Sequence, residues 1–222
     1  MLKLYQFSAC PFCWKVKVLL NYHGVPYETV EVDPMSKQEL NFTEHKKVPV
    51  LCDGEKVITE SSEIMAYLNA KFEISDPATD ETDWCTWVDE TLVHYFPPII
   101  HKDFKTSYQT IEKITPAGKG GRIKRQLTRI VGAAIMSKVA RKKAHKLGIT
   151  DPEAGMKQAV DHWVNQGLQG RPFYGGEKPS LADLSVFGVF RSTEELDIVD
   201  MACAHQPGFA VWYQECKQQT AA

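Results

Sequence analysis

The stretch SACPFCWKVKVLLNYHG, residues 8–24, places two cysteines three positions apart where an apolar strand gives way to an amphipathic helix. LKLYQF, just before it, predicts the strand, and Pro11 suits the first turn of a helix that ends near Gly24. Unpaired N–H groups at a helix start favour a thiolate, so Cys10 is the predicted nucleophile. Cys13, about one turn later, is placed to resolve a mixed disulfide. The stretch therefore predicts a thiol-exchange centre.

Two alternatives for the cysteine pair are a structural zinc site and a pair of buried thiols. A zinc site of this kind needs a second ligand pair, and no second C-x-x-C is present. The remaining cysteines are isolated: Cys52, Cys85, Cys203 and Cys216. Two cysteines at this spacing in a strand-to-helix turn are typical of a redox motif. We therefore predict redox chemistry and no metal.

The composition is that of a soluble globular protein with one large domain or two small ones. The chain has 222 residues, 43% of them hydrophobic, and a net charge of -2 at pH 7. This charge gives no overall attraction to nucleic acid, so we predict no nucleic-acid partner. The opening MLKLYQF lacks a signal-peptide pattern, and polar residues interrupt every apolar run. We therefore expect a cytoplasmic, reducing location.

The predicted elements follow the order β-α-β-α-β-β-α and are then helical throughout. Strands are predicted in LKLYQF, in YETVEV and on both sides of the turn at 53–54, and a helix over 60–72. A polar stretch at 73–80 predicts a linker between domains 1–75 and 81–222. Apolar spacing predicts later helices over 81–96, 121–147, 153–167, 181–191 and 208–217.

CPFC followed by WKVKVLLNYHGVPYETVEV resembles a glutaredoxin active site that opens a thioredoxin fold. The resemblance implies an α/β thioredoxin-like (glutaredoxin-type) N-terminal domain and an all-α glutathione-transferase-like C-terminal domain. In such proteins the proline matching Pro49 is cis, and the backbone of the residue matching Val48 pairs with glutathione. Residues matching Glu60 and Ser61 hold the γ-glutamyl end. An ordinary edge-strand proline and a plain helix cap are the structural alternatives.

A narrower resemblance covers most of the chain. VHYFPPIIHK and GRPFYGGEKPSLADLSVFGVF, with CPFCWKV and KKVPVL, are similar to the membrane-associated type-2 prostaglandin E synthase family. This resemblance implies glutathione as cofactor, with Phe12 lining its pocket, and haem as a second cofactor near His94. Animal members, credited with isomerising prostaglandin H2, have a longer insertion, an N-terminal membrane segment and a tyrosine where this chain has Phe7. The family's phenolic hydrogen bond is therefore lost here.

Several polar residues of the helical part have structural explanations. Ser180 stands three residues before Asp183 at the start of an apolar helix, which predicts a capping box rather than a catalytic pair. His94 has a solvated or hydrogen-bonded structural role as its alternative to a cleft role. His101 is a weaker candidate because two prolines interrupt the helical spacing between the histidines.

Segment 113–150 contains eleven lysines and arginines and no acid. The spacing of Ile123, Leu127, Ile130 and Ala134 predicts a helix that packs these residues inward and turns a basic face outward. Anionic lipid, an acidic partner or haem propionates suit such a face, and a solvated basic helix is the alternative. Peripheral membrane contact through this segment is therefore an expected interaction.

The leading hypothesis is a glutathione-dependent thiol-disulfide oxidoreductase or transferase. Cys10 attacks a small disulfide or electrophile, and Cys13 or a second glutathione resolves the intermediate. Lys15 and Lys17 either add positive potential or point to solvent. The alternatives are a glutathione-dependent prostaglandin H2-to-E2-type isomerase, and a non-enzymatic protein that binds glutathione and haem or resembles the chloride intracellular channel proteins. Transferase relatives commonly dimerise, so we expect a homodimer.

Overall fold

The computed structural model describes residues 1–72, 79–114 and 122–220. The strands are β1 (Leu2–Gln6), β2 (Tyr27–Glu31), β3 (Val50–Asp53) and β4 (Lys56–Thr59). The helices are α1 (Pro11–Tyr22), α2 (Ser61–Phe72), α3 (Thr79–Glu90), α4 (Phe96–Ile100), α5 (Phe104–Ile114), α6 (Arg122–Lys146), α7 (Pro152–His162), α8 (Leu181–Arg191), α9 (Ile198–His205) and α10 (Pro207–Gln219). Short 3₁₀ turns lie at Gln38–Leu40 and Leu92–Tyr95, and a π-helical segment at Trp163–Leu168.

The four strands form one sheet in the order β2-β1-β3-β4. β1 is parallel to β2, to which α1 connects it, and antiparallel to β3. β3 and β4 form a hairpin, and Gly54 in its turn has a positive φ that glycine adopts without steric cost. Leu2 and Leu4 of β1 are buried in the main core. The predicted thioredoxin-like order of elements is confirmed.

The helical part is also confirmed, with different element bounds. The helix predicted over 81–96 ends at Glu90, and a 3₁₀ turn follows it. Pro97 and Pro98 lie in the first turn of α4, where a proline lacks no needed hydrogen bond. Three described helices were not predicted, α4, α5 and α9, which are short and begin in or after segments rich in polar or turn-forming residues. Among the described helices, none is both long enough and apolar enough to cross a membrane.

The inward face predicted for α6 is wrong. Leu127 and Ile130 are exposed and Ala134 is half-buried, whereas Ala133, Ala140 and Ala144 are buried. The basic face is also not wholly outward, because Arg129 is buried and pairs with Glu112 of α5. Small residues lie inward because neighbouring helices approach closely, as where a Cβ on Gly132 would lie 3.3 Å from a side-chain carbon of α5. The side chain of Ile123 is outside the described part of the helix.

The closest packing between the sheet-bearing part and the helical part is that of α1 on α8. A Cβ added to Gly188 would lie 2.7 Å from the Lys15 Cα, so no side chain fits between the two backbones. Lys15 is only 1% exposed, and its Nζ lies 2.6 Å from Asp89 Oδ1 of α3. The solvent orientation offered for Lys15 is therefore wrong, because its side chain lies in this interface. The predicted linker at 73–80 lies almost wholly outside the described residues, and the division into 1–75 and 81–222 stays a prediction.

The capping box predicted at the start of α8 is present. The fully buried Asp183 carboxylate accepts hydrogen bonds from the Ser180 N–H and hydroxyl at 2.9 Å and from the Trp212 indole N–H at 2.9 Å. It also accepts from the backbone N–H groups of Tyr174 and Gly175. Asp183 is thus fully engaged in holding α8, the loop before it and α10 together.

Replacing Gly188 with alanine is expected to destabilise the protein, because the new methyl group must displace backbone atoms of α1. Overpacking of this kind costs about 1–3 kcal/mol. Gly132→Ala is the matched control, because it also adds a methyl group within a helix but meets only the flexible end of Ile111. Urea titration followed by circular dichroism measures both free energies of unfolding. Equal values for the two variants would contradict the close α1–α8 contact.

Candidate active site

Cys10 occupies the cap position of α1, with its backbone in an extended conformation. Its backbone N–H donates to the Phe7 carbonyl at 3.0 Å, which closes the loop between β1 and α1. Hydrogen bonding from the Cys13 thiol lowers the pKa of Cys10, and the backbone N–H groups of Cys13 and Phe12 add to this effect. Burial and the negative charge of Glu31 act in the opposite direction. The net effect favours the thiolate that nucleophilic attack requires.

Cys13 differs sharply from Cys10 although the two belong to the same helix turn. Its side chain is fully buried, and burial is the main cause of a pKa raised far above that of a free thiol. Its hydrogen bond to Cys10 acts in the same direction. Cys13 is therefore held as a thiol that stabilises its neighbour's anion. All six cysteines are free thiols.

The peptide bond between Val48 and Pro49 is cis, as the glutaredoxin resemblance implies. Pro49 immediately precedes β3, which lies inside the sheet between β1 and β4. The edge-strand alternative is therefore wrong. Val48 and Phe7 pack against the same small cluster of Val32, Leu40 and Val50, so the cis-proline loop lies beside the loop that carries Cys10.

Glu60 and Ser61 lie at the same end of the sheet as Pro49. Val50 pairs with Thr59, so the residues Pro49 and Glu60 flank one β3–β4 pair. Glu60 has a positive φ of 60°, and α2 begins at the buried Ser61, which makes Glu60 rather than Ser61 the cap residue. The Glu60 carboxylate lies 3.8 Å from His45 Nε2. The unpaired N–H groups of the first turn of α2 suit a carboxylate ligand.

His94 is not brought to this group by any contact among the described residues. It lies in the 3₁₀ turn after α3, where burial lowers its pKa, Lys143 of α6 adds to that effect, and Asp89 opposes it. Among the described residues, no buried polar atom without a partner lies at His94, so no orphaned atom there points to a ligand. His101 is buried with its Nδ1 2.9 Å from the Ser107 hydroxyl, and burial lowers its pKa to about 4. The buried hydrogen bond of His101 suits a structural histidine.

Phe12 and Phe7 occupy different apolar surroundings. Phe12, half-buried at the start of α1, packs against the main core, whereas Phe7 packs against the smaller cluster under the cis-proline loop.

Lys17 lies over the Trp14 ring, 3.8 Å from its centroid, and burial lowers the pKa of Lys17. Within the described residues, no group of three or more histidine, cysteine or acidic side chains is arranged to hold a metal ion.

The sequence reasoning missed three residues that hold the Cys10 loop: Ser8, Trp14 and Glu31. The Ser8 N–H donates to Glu31 Oε1 at 2.8 Å, and the Ser8 carbonyl accepts from the Trp14 indole N–H at 2.6 Å. Glu31 comes from the end of β2, which the sheet register aligns with Gln6 at the end of β1. Nothing in the sequence near Glu31 marks this contact, because it depends on parallel strand pairing.

Comparison with known proteins agrees with this fold. The family model of the glutathione S-transferase N-terminal domain matches residues 4–77. The chain is 29% identical to prostaglandin E synthase 2 of Mus musculus over 96% of its own length and 68% of the relative's. The zebrafish (Danio rerio) protein of the same name is 28% identical over 99% of this chain and 71% of that protein. Human glutathione transferase theta-2, solved with glutathione, superposes with a TM-score of 0.66 at 20% identity and covers 100% of this chain and 83% of that one.

The sheet order, the cis-proline loop and the helical second part define a glutathione-transferase-like protein with a thioredoxin-type N-terminal domain. Within that class, the resemblance of the chain to the type-2 prostaglandin E synthase family is confirmed over nearly its whole length. The alignment with the mouse protein spans 267 positions, which is more than the 222 residues of this chain. The mouse protein therefore carries insertions relative to this chain.

Alkylation should distinguish Cys10 from Cys13. We expect iodoacetamide to modify Cys10 with a pH midpoint below the ~8.5 of a free thiol, because hydrogen bonds stabilise its thiolate. Cys13 should stay unmodified over the same range because it is buried and held as a thiol. Peptide mass spectrometry at each pH measures both rates, with Cys52 as a half-buried reference whose pKa is raised by burial. Equal midpoints for Cys10 and Cys52 would contradict the prediction.

Proposed function

We propose that the protein is a glutathione-dependent thiol-disulfide oxidoreductase of the transferase fold, acting on small disulfides or glutathione mixed disulfides. The observation that carries this proposal is the asymmetry of the cysteine pair. Cys10 is partly exposed at a helix start with a lowered pKa, and Cys13 is buried with a raised one. One thiol of the pair is thus suited to attack and the other to support it.

The reaction follows from these roles. The Cys10 thiolate attacks the glutathione sulfur of a mixed disulfide, forming a Cys10–glutathione bond while the substrate thiolate leaves and takes a proton from solvent. A second glutathione thiolate then attacks the glutathione sulfur bound to Cys10, releasing glutathione disulfide and restoring the Cys10 thiolate. In total, one mixed disulfide and one glutathione thiol give one substrate thiol and one glutathione disulfide, so one disulfide is exchanged for another. This route is favoured over resolution by Cys13, because Cys13 is fully buried and would have to ionise in the core.

The loops around Cys10 offer a binding surface for glutathione. In this proposal the Val48 backbone, held extended before Pro49, pairs with the cysteinyl part of the tripeptide. The N–H groups at the start of α2, at Ser61, donate to the γ-glutamyl carboxylate, and the Glu60 carboxylate accepts from the γ-glutamyl ammonium group. Phe12 covers the glutathione sulfur beside Cys10. The roles come from the family resemblance. They are supported by the structure around one end of the sheet, where the cis-proline loop, the start of α2 and the Cys10 loop lie close together.

Reduction of a glutathione mixed disulfide, coupled to glutathione reductase, tests the proposal. Cys10→Ser should lose all measurable turnover, because a serine hydroxyl is not ionised near neutral pH. Cys13→Ser is the matched control: it should retain turnover to within about tenfold, since a hydroxyl still donates to Cys10 and glutathione resolves the intermediate. Substantial turnover by Cys10→Ser would contradict the nucleophile assignment, and complete loss in a folded Cys13→Ser variant would contradict the single-thiol route.

Isomerisation of a prostaglandin H2-type endoperoxide is the second candidate, favoured by the names of the mouse and zebrafish relatives. Glutathione is not consumed in an isomerisation, so the accumulation of glutathione disulfide separates the two reactions. Phe7 offers no hydroxyl to an endoperoxide oxygen, which makes this reaction the weaker candidate. For the non-enzymatic alternative, no orphaned buried atom at His94 supports haem binding among the described residues.

The exposed face of α6 favours one macromolecular partner, an anionic lipid surface. Five large aliphatic side chains of this face are from 45% to 57% exposed: Leu127, Ile130, Val131, Ile135 and Val139. The C-terminal half of the same helix carries basic residues that include Lys138, Arg141, Lys142 and Lys146, and α6 contains no acidic residue. An apolar stripe with basic flanks suits the headgroup region of an anionic bilayer. A second copy suits this face less, because two paired α6 helices would bring basic residues together whether they run parallel or antiparallel.

We also propose a homodimer through another surface and a cytoplasmic location.

Flotation with vesicles tests the lipid contact. The protein should bind vesicles of phosphatidylcholine containing about 30% phosphatidylserine and not vesicles of phosphatidylcholine alone, because the contact needs both apolar and basic groups. The double variant Val131→Glu/Ile135→Glu should lose at least about tenfold in binding. Val211→Glu on α10 is the matched control, since Val211 is also exposed. Unchanged binding by the double variant would contradict the proposal. A wild-type dimer that this variant converts to monomers, without vesicle binding, would assign the face to a second copy.

A further inference from the structure

The peptide groups of Ser8 are held from two sides. Its N–H donates to the Glu31 carboxylate at the end of β2, and its carbonyl accepts from the Trp14 indole in α1. Gln6 Nε2 donates to the other oxygen of the same carboxylate at 3.2 Å. Ser8 stands two residues before Cys10, so these bonds fix the loop that sets the position of the sulfur. Charge-assisted hydrogen bonds of this kind are among the stronger ones in proteins.

Trp14 is itself held by the helical part of the protein. The Arg191 guanidinium, at the end of α8, lies 5.0 Å from the centroid of the Trp14 ring, and Lys17 lies over the same ring. Arg191 forms an ion pair with Glu194, whose other oxygen lies 2.6 Å from Lys217 Nζ of α10. A chain of contacts therefore leads from α10 and α8 through Trp14 to Ser8.

Glu31 also acts on the thiols through its charge. The charged or titratable groups that act on Cys10 are Cys13 and Glu31, and the Glu31 charge raises the pKa of both thiols. The charge of the same carboxylate raises the pKa of Lys17, whereas the charge of Arg191 lowers it. A negative charge beside a nucleophilic thiolate is unfavourable for that thiolate. Its presence is explained if the carboxylate is needed to hold the loop.

We propose that Glu31 and Trp14 are positioning residues, which act through Ser8 to hold the Cys10 loop in the geometry needed for attack on a disulfide. The inference rests on the proposed thiol chemistry of Cys10. Neither side chain touches the substrate in this role. Glu31 serves as a hydrogen-bond acceptor for Ser8. Its charge disfavours the Cys10 thiolate, and the firmer loop offsets this effect.

Two substitutions at Glu31 separate the acceptor from the charge. Glu31→Gln removes the charge but keeps an oxygen that can accept from Ser8, whereas Glu31→Ala removes both. We expect Glu31→Gln to raise the rate of Cys10 alkylation about two- to fivefold at a pH below its midpoint, because the thiolate forms more readily. Glu31→Ala should instead lower kcat for mixed-disulfide reduction about tenfold relative to Glu31→Gln, because the loop is released.

Trp14→Phe tests the other side of the loop, since phenylalanine keeps a ring for Lys17 and Arg191 but cannot donate to Ser8. We expect kcat to fall about tenfold with little change in KM, because the glutathione-binding loops are untouched. Glu28→Gln is the matched control: it removes a carboxylate from the same strand, one that pairs with Lys3 at the surface. This variant should behave as the wild type in both measurements.

Hydrogen exchange of the Ser8 amide gives a readout that needs no thiol chemistry. Glu31→Ala should speed this exchange at least about tenfold, and Glu31→Gln should speed it much less. Equal exchange rates and equal kcat for the two Glu31 variants would overturn the positioning role of Glu31, and wild-type kcat in Trp14→Phe would overturn that of Trp14. An ordinary alkylation midpoint for wild-type Cys10 would instead overturn the proposed function, while the exchange result still decides whether the loop is held.

Discussion

The close contact between α1 and α8 is the constraint on which the site depends. Gly188 lets the two backbones meet, and the buried pair of Lys15 and Asp89 fastens the same helix to α3. A buried ion pair adds little net stability over an apolar contact, but breaking it by removing one partner is costly, so it restricts how α1 can sit. With the body of α1 fixed in this way, its first turn is aimed at the loops of one sheet end. The position of Cys10 is therefore set by packing well away from the thiol.

The different behaviour of the two cysteines follows from the same packing. Both belong to the first turn of α1, but Cys10 lies at the cap, where N–H groups are free to stabilise an anion. Cys13 points into the core that α1 buries, where a charge would lose its hydration. The sequence predicts Cys10 as the nucleophile and Cys13 as a thiol that can resolve a mixed disulfide. The burial of Cys13 supports the proposed roles, in which Cys10 is the nucleophile, Cys13 is its hydrogen-bond donor and glutathione is the resolving thiol.

The parts of the fold that could be predicted from sequence have local signals. Pro11 at a helix start, the hairpin turn, predicted at 53–54 and found at 54–55, and the Ser180–Asp183 capping box each depend on residues a few positions apart. The face of α6 was predicted wrongly because apolar spacing identifies a helix without saying which side its neighbours approach. Close approach of α5 selected small residues for the inner side. The bond between Ser8 and Glu31 joins residues 23 positions apart, and only the pairing of β1 with β2 makes it visible.

In the proposed reaction, the Glu31 carboxylate has two opposing effects on Cys10. A mobile loop would spread the Cys10 sulfur over many positions, of which few allow in-line attack on a disulfide, so a firm acceptor for Ser8 favours the reaction. The same carboxylate opposes ionisation of the thiol it positions. The backbone N–H groups of Phe12 and Cys13 and the Cys13 thiol offset that charge directly at the sulfur. Because the stabilising donors contact the sulfur itself while the carboxylate acts from the neighbouring strand, the donors dominate and the loop can be held without losing the thiolate.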